Sequence, residues 1–261
     1  MTSTQLEPQA LGAHDGLHAA SHIPPRTLAQ TVLHATVDSA FLTIWHAQGA
    51  RMRRSRPRLP VTFQHAPILV LPGVFESPTF LDPLVAVIRT TGRPIHRIDA
   101  LGSNLKRIDE SAGIVREYLA SNALQNVTIV AHSKGGLIGK QLMVWPESAE
   151  RIRSMIAIAT PFGGSRYASH APLRALRDFA PADAVLRGLA ANDDANARIL
   201  SVFGAFDPEI PDGSRLPGGR NEQLSTAGHF RPLGDPQLHR LLCRELTSEL
   251  TSELTISTET R

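Results

Sequence analysis

The 261-residue sequence has little cysteine, little lysine and no long apolar run. Its single cysteine, Cys243, excludes an internal disulfide and a cysteine-based zinc cluster. No apolar stretch approaches the roughly 18 residues that a membrane-spanning helix needs. Spacings typical of metal ligands are absent as well, so we predict no metal and no cofactor. The only lysines are Lys106, Lys134 and Lys140, and arginine therefore supplies nearly all of the positive charge.

The composition is that of a globular protein, with 42% hydrophobic and 20% charged residues and a mean hydropathy of −0.10. The length suits one large domain better than two. The pI is near 9.5, but the net charge is only +3, and the five arginines between positions 51 and 58 exceed that excess. A basic surface spread over the whole protein is therefore not expected, and we predict no nucleic-acid partner.

Residues 1–60 form a predicted N-terminal extension with three parts. The head before residue 27 lacks the basic and apolar regions of a secretory signal, which predicts a disordered segment and a cytoplasmic protein. Residues 27–50 carry apolar side chains at spacings of three to five, which predicts an amphipathic helix. An arginine-rich linker at 51–58 follows. Residues 27–58 either pack on the main domain or make a peripheral contact with an anionic membrane.

Residues 61–250 are predicted to form the catalytic domain, because short apolar runs alternate there with segments of helical period. Runs such as ILVL and VTIVA are typical of strands that helices bury on both faces. We therefore predict an α/β fold with a mainly parallel sheet flanked by helices. A short helical cap is expected at 165–196 and a low-complexity tail at 251–261. Ligands of such sheets bind at the carboxyl ends of the strands.

Ser133 follows a predicted strand and precedes a predicted helix in the segment VTIVAHSKGGLIG. This is the context of a nucleophile elbow, a tight turn that presents a serine hydroxyl in a strained backbone conformation. Helix and strand can pass closely there only if the residues two before and two after the serine are small. These residues are Ala131 and Gly135, so Ser133 is the candidate nucleophile.

A serine nucleophile needs an imidazole base, which a carboxylate orients. In folds with this elbow the chain order is serine, acid, histidine. Among the eleven histidines, only His229 lies on a loop after a strand and beyond a candidate acid. Asp207 is the favoured acid because it is nearest to the preceding strand end, and Glu209 is the alternative.

Two backbone N–H groups are candidates for stabilising an oxyanion. One belongs to Lys134, which opens the helix after the elbow, and its side chain is expected to point away from the site. The other belongs to Val74 in the segment LPGVFES, where a glycine allows the backbone to approach closely. Phe75, the next residue, is a candidate wall of the acyl pocket.

A resemblance to the α/β-hydrolase fold rests on five segments, namely ILVLPGVFESPTFLDPLVAVIRTTG, VTIVAHSKGGLIG, AIATPFGGS, SVFGAFDPEIP and NEQLSTAGHF. More narrowly, the segments are similar to bacterial esterases and triacylglycerol lipases related to the glycosylphosphatidylinositol inositol-deacylase group. The resemblance covers about residues 67–246 and implies a serine-triad carboxylic-ester hydrolase that acts on a small-molecule ester or lipid. Pro72 departs from the histidine that many relatives carry before the oxyanion glycine.

Two alternatives remain open from the sequence. The same three residues serve an acyltransferase or a thioesterase, because pocket shape and water exclusion select the acceptor. A non-catalytic protein of this fold, recruited to a membrane or a partner through the N-terminal helix, is the other alternative.

Overall fold

A computed structural model of the chain describes residues 27–54, 65–77 and 79–259. The predicted head, positions 55–58 of the predicted linker and the last two residues of the predicted tail lie outside the described residues.

Six parallel strands form one sheet in the order β2-β1-β3-β4-β5-β6. Their bounds are β1 Ile68–Leu71, β2 Ile95–Arg97, β3 Val127–His132, β4 Ile152–Ile158, β5 Ile199–Phe203 and β6 Arg220–Gln223. The interior strands β1 and β3 are buried along their whole length, as their largely apolar runs predict. Because all the strands are parallel, their carboxyl ends meet at one edge of the sheet.

The helices cover both faces of this sheet. They are α1 Leu28–Arg54, α2 Asp82–Ile88, α3 Ile108–Ser121, α4 Lys134–Val144, α5 Pro146–Ala149, α6 Arg174–Arg177, α7 Ala184–Ala191 and α8 Pro236–Glu259. Alternation along β1 divides the core, since Leu69 and Leu71 pack with α3 and α4 while Ile68 and Val70 pack with α2 and α8. The predicted fold class, an α/β fold with a mainly parallel sheet between helical layers, is confirmed.

The two terminal helices run further than the sequence predicts. Helix α1 continues to Arg54, into the segment predicted as a linker, because methionine and arginine support a helix. Helix α8 continues to Glu259 through the segment predicted as a low-complexity tail. The repeated TSEL places leucines four residues apart, which is a helical period, so the repeat extends the helix instead of ending it.

Helix α1 packs against α2 and the loop before α8 with one face. Trp45 is buried on this face, 5% exposed, and stacks on Phe41. The opposite face exposes apolar side chains to solvent, namely Leu28, Val32, Leu33, Val37 and Ile44. Part of the predicted apolar stripe is therefore buried against the rest of the protein, and part is exposed to solvent. No helix in the described ranges combines the length and apolar character that crossing a membrane requires.

Candidate active site

Ser133 lies in a strained turn between β3 and α4. Its backbone has φ 50° and ψ −120°, a left-handed conformation that non-glycine residues seldom adopt. The helix starts so close to β1 that any Cβ at position 135 would overlap the carbonyl of Leu71, so Gly135 is required there. Ser133 is only 5% exposed, and its hydroxyl lines a cavity at the carboxyl edge of the sheet.

The loops after β5 and β6 bring Asp207 and His229 to this serine. The Ser133 hydroxyl donates a hydrogen bond to Nε2 of His229, with an Oγ to Nε2 distance of 3.0 Å. Nδ1 of the same imidazole donates to Oδ2 of Asp207 at 2.7 Å. Both partners are buried, and their contacts form one continuous chain of hydrogen bonds from the carboxylate to the hydroxyl.

Glu209, the alternative acid, lies on the other side of the imidazole. Its Oε2 is 3.9 Å from Nε2 of His229, beside the serine, and it makes no contact with Nδ1. The turn after β5 explains why the two carboxylates lie on different sides of the imidazole. Asp207 begins this turn and accepts hydrogen bonds from the backbone N–H groups of Glu209 and Ile210, at 2.8 and 3.0 Å. This turn carries the Glu209 side chain away from Nδ1 and into the cavity.

The charges of the site are strongly coupled. Burial alone would raise the pKa of Asp207, but His229 and two backbone N–H donors outweigh it and hold the pKa below its ordinary value. Burial alone would lower the pKa of His229, but Asp207 and the further carboxylates Glu209 and Asp38 raise it. Burial raises the pKa of Glu209, although the nearby imidazole of His229 acts to lower it. The geometry therefore stabilises an imidazolium at His229 next to an ionised Asp207.

The two candidate oxyanion donors belong to segments next to the serine, since Lys134 follows it and a Cβ at Gly73 would lie 3.0 Å from the Ser133 Cβ. Lys134 is the first residue of α4, where backbone N–H groups have no acceptor within the helix. In the loop after β1, the Gly73 N–H donates to Oε2 of Glu76 at 2.5 Å, whereas the Val74 N–H has no acceptor within the described chain. Val74 thus has an available donor in that loop, and Phe75 lines the cavity.

The Lys134 side chain ends away from the cavity. Its ammonium donates to the backbone carbonyls of Asn104 and Lys106, the first at 3.1 Å. Burial lowers the pKa of this lysine to about 8. These contacts tie the start of α4 to the loop that precedes α3, which is a structural role.

A buried pair that the sequence analysis did not identify lies directly behind the serine. Nδ1 of His132 is 2.5 Å from Oε1 of Glu76, and both side chains are at most 2% exposed. Nε2 of His132 is 3.2 Å from the carbonyl oxygen of His229, so this nitrogen is the donor and carries a proton. The pair therefore links the oxyanion loop to the loop of His229.

Asp38 on helix α1 is a second residue that the sequence analysis missed. Its buried carboxylate accepts hydrogen bonds from three consecutive backbone N–H groups, those of His229 at 2.7 Å, Phe230 at 3.1 Å and Arg231 at 3.0 Å. Gly228 lies so close to Asp38 that a Cβ there would overlap the carboxylate. An aspartate within an otherwise apolar helix face was the available signal, but its partners were not visible in the sequence.

The cavity in front of Ser133 has a volume of about 550 Å³. Its lining is mostly apolar and aromatic and comes from six parts of the chain, with Leu42, His46, Phe75, Tyr167, Phe179 and Phe230 among its members. Helix α1 contributes Leu42 and His46, although the sequence analysis placed it outside the catalytic domain. The cap region contributes residues from Ser165 to Phe179 to this lining, including Leu176 of α6.

Comparison with solved structures identifies the α/β-hydrolase fold. A monoacylglycerol lipase from Paleococcus ferrophilus is 13% identical, with a TM-score of 0.51 over 72% of this chain and 96% of that chain. A hydrolase from Oleispira antarctica is 16% identical, with a TM-score of 0.53 over 71% and 92%. A metagenomic carboxyl esterase is 20% identical, with a TM-score of 0.50 over 67% and 68%. No family model and no curated protein matches the chain.

Proposed function

We propose that the protein is a serine hydrolase that cleaves carboxylic esters through an acyl-enzyme on Ser133. The observation that carries this proposal is the hydrogen-bond chain from Asp207 through His229 to the Ser133 hydroxyl, set at a strained turn that opens into the cavity. A serine that merely begins a helix requires neither a buried imidazole at 3.0 Å nor a carboxylate behind it. The solved esterase and lipase with this fold agree with the proposal.

In this reaction the Ser133 oxygen attacks the ester carbonyl while its proton passes to Nε2 of His229. Asp207 stabilises the imidazolium that forms. The N–H groups of Val74 and Lys134 donate to the oxyanion of the tetrahedral intermediate. The imidazolium then returns its proton to the leaving alkoxide, and the acyl group stays on Ser133. Water attacks the acyl-enzyme by the same steps and regenerates the hydroxyl.

The substrate of this reaction is a small-molecule ester or lipid with an apolar acyl part, because apolar and aromatic side chains line the cavity. The small cap leaves room for short and medium acyl chains near the serine. We further propose that the protein is located in the cytoplasm. Its relation to the inositol-deacylase-like lipases stays a prediction. Among residues 27–54, 65–77 and 79–259, no contact favours one acyl acceptor over another.

Peripheral membrane contact through residues 27–58 is part of the same proposal. Helix α1 exposes Leu28, Val32, Leu33 and Ile44, and the arginines at 51–58 follow in the sequence. Vesicles with and without anionic lipid test this contact by co-sedimentation. Binding that depends on anionic lipid and weakens in a Val32→Ser/Leu33→Ser variant supports the contact. If the same fraction of protein stays in the supernatant with both kinds of vesicle, the contact is rejected.

A fluorophosphonate probe tests the nucleophile directly. The probe should label the native chain and fail to label Ser133→Ala, and hydrolysis of p-nitrophenyl butyrate should fall about 10⁴-fold or more in that variant. Ser121→Ala, at the exposed end of α3, is the matched control and should behave as the native chain does. Equal labelling of Ser133→Ala, or no labelling of folded native protein, contradicts the proposed function.

A further inference from the structure

Glu209 places a carboxylate in the cavity that approaches His229 but has no hydrogen-bond donor among the described residues. Its side chain lines the cavity, is 55% exposed and lies with Oε2 3.9 Å from Nε2 of His229. Within the described chain this carboxylate accepts no hydrogen bond and faces no lysine or arginine. By contrast, the nearby carboxylates of Asp207, Asp38 and Glu76 all accept hydrogen bonds from backbone N–H groups. Glu209 is thus the carboxylate of the site that is available to a ligand.

The position of this carboxylate relative to the imidazole shows which part of a substrate it faces. In the proposed reaction, Nε2 of His229 gives its proton to the leaving alkoxide. The alcohol part of the ester therefore lies against Nε2 when the serine attacks. Since Oε2 of Glu209 is 3.9 Å from this nitrogen, a group two carbon atoms beyond the leaving oxygen comes within reach of the carboxylate.

The rest of the lining suits a positively charged group of low polarity. Aromatic rings of Phe75, Tyr167 and Phe230 line the same cavity, and aromatic faces attract ammonium groups. No lysine or arginine is among the described residues that line it, so neither of these side chains repels a cation there. An anionic alcohol part, in contrast, would lie next to Glu209 with no counter-charge.

Resting on the proposed function, we infer that this site prefers esters whose alcohol part carries an ammonium group close to the ester oxygen, and that Glu209 pairs with that group. Within the substrate this carboxylate contacts only the leaving group, so it contributes to specificity and neither forms a bond nor transfers a proton itself. The acyl part occupies the apolar remainder of the cavity.

Two esters of equal shape test the inference. Butyrylcholine carries a permanent positive charge, and 3,3-dimethylbutyl butyrate replaces its nitrogen by carbon. The native chain should show a kcat/KM ratio of roughly 10 or more in favour of the charged ester, and 0.5 M salt should reduce this ratio. Glu209→Gln should bring the ratio close to one, whereas Glu209→Asp should keep part of the preference. A native ratio near one, or the same ratio in Glu209→Gln, overturns the inference and leaves the proposed hydrolase function intact.

A binding measurement separates the subsite from turnover. Choline and 3,3-dimethylbutanol are titrated into Ser133→Ala protein by calorimetry, with Ser133→Ala/Glu209→Gln as the matched protein. Choline should bind more tightly than the neutral alcohol and lose about 10-fold in affinity when Glu209 is replaced. If the native chain hydrolyses neither ester, the hydrolase proposal fails while choline binding still reports on Glu209. Equal affinity for both alcohols rejects the subsite.

Discussion

The backbone N–H of His229 donates a hydrogen bond to the carboxylate of Asp38, 191 residues earlier in the chain, at 2.7 Å. The carbonyl oxygen of the same histidine accepts a hydrogen bond from Nε2 of His132 at 3.2 Å. Both polar main-chain atoms of His229 are therefore fixed by side chains from other elements, helix α1 and strand β3. This arrangement holds the backbone of His229 in place, and the contact of Nδ1 with Asp207 orients the ring so that Nε2 faces Ser133.

Replacement of Asp38 should impair both the stability and the reaction. Asp38→Ala leaves three N–H groups of the His229 loop without their acceptor, and we expect the free energy of unfolding to fall by about 2 kcal/mol or more. Asp38→Asn keeps the shape and removes the charge, so kcat should fall about 10-fold with a smaller effect on KM.

The pH profile distinguishes positioning from a general loss of stability. Because Asp38 contributes to the raised pKa of His229, the acid limb of kcat/KM should move to lower pH in Asp38→Asn. Ser39→Ala, at the exposed neighbouring position on α1, is the control and should leave the limb unchanged. An unshifted limb in Asp38→Asn would mean that Asp38 has only a structural role.

The rate of ester hydrolysis by the native chain should rise with pH through the pKa of His229. Only the neutral imidazole accepts the serine proton, and the neighbouring carboxylates outweigh burial to raise this pKa above its ordinary value of 6.5. The half-maximal point of kcat/KM should therefore lie above pH 6.5. A stopped-rate assay across pH 5 to about 10 measures it. A limb centred below pH 6.5 contradicts the electrostatic environment described for His229.

Variants of the two acids should have very different effects on the rate. Asp207→Asn removes the acceptor of Nδ1 and should lower kcat about 10³- to 10⁴-fold with a neutral ester. Glu209→Gln should lower it far less, because Glu209 does not contact Nδ1. The single-turnover rate of acylation by p-nitrophenyl butyrate compares them. A larger loss in Glu209→Gln than in Asp207→Asn would reverse the assignment of the acid.

The Glu76–His132 pair should contribute to stability as one unit. Glu76→Gln and His132→Gln each disrupt a buried contact between partners at most 2% exposed, and each should cost about 2 to 4 kcal/mol of unfolding free energy. The double variant should cost clearly less than both together, since the second change removes a side chain that has already lost its partner. Urea denaturation measures this cycle, and strict additivity would mean that the two side chains do not interact.

Much of the fold followed from local patterns in the sequence. Largely apolar runs indicated β1, β3 and β4, which are mostly buried. Strand β6 was a weaker prediction, since its four residues are polar, and they are mostly exposed. Helices α1 and α8 extend to Arg54 and Glu259, past the starts of the predicted linker and tail, which were inferred from composition and not from helical period. Ser133, Asp207 and His229 were found by chain order and by position after strands.

The amino-acid sequence alone determined the layers of the sheet and the candidate nucleophile, because periodicity and turn chemistry act over a few residues. Tertiary structure alone decided which carboxylate meets which atom of His229. The turn after β5 sends Asp207 to Nδ1 and Glu209 toward Nε2, although only one residue separates them. Tertiary structure also brought Asp38 to the His229 loop. The packing of α1 against the domain depends on a whole helix face and on contacts between residues 191 positions apart.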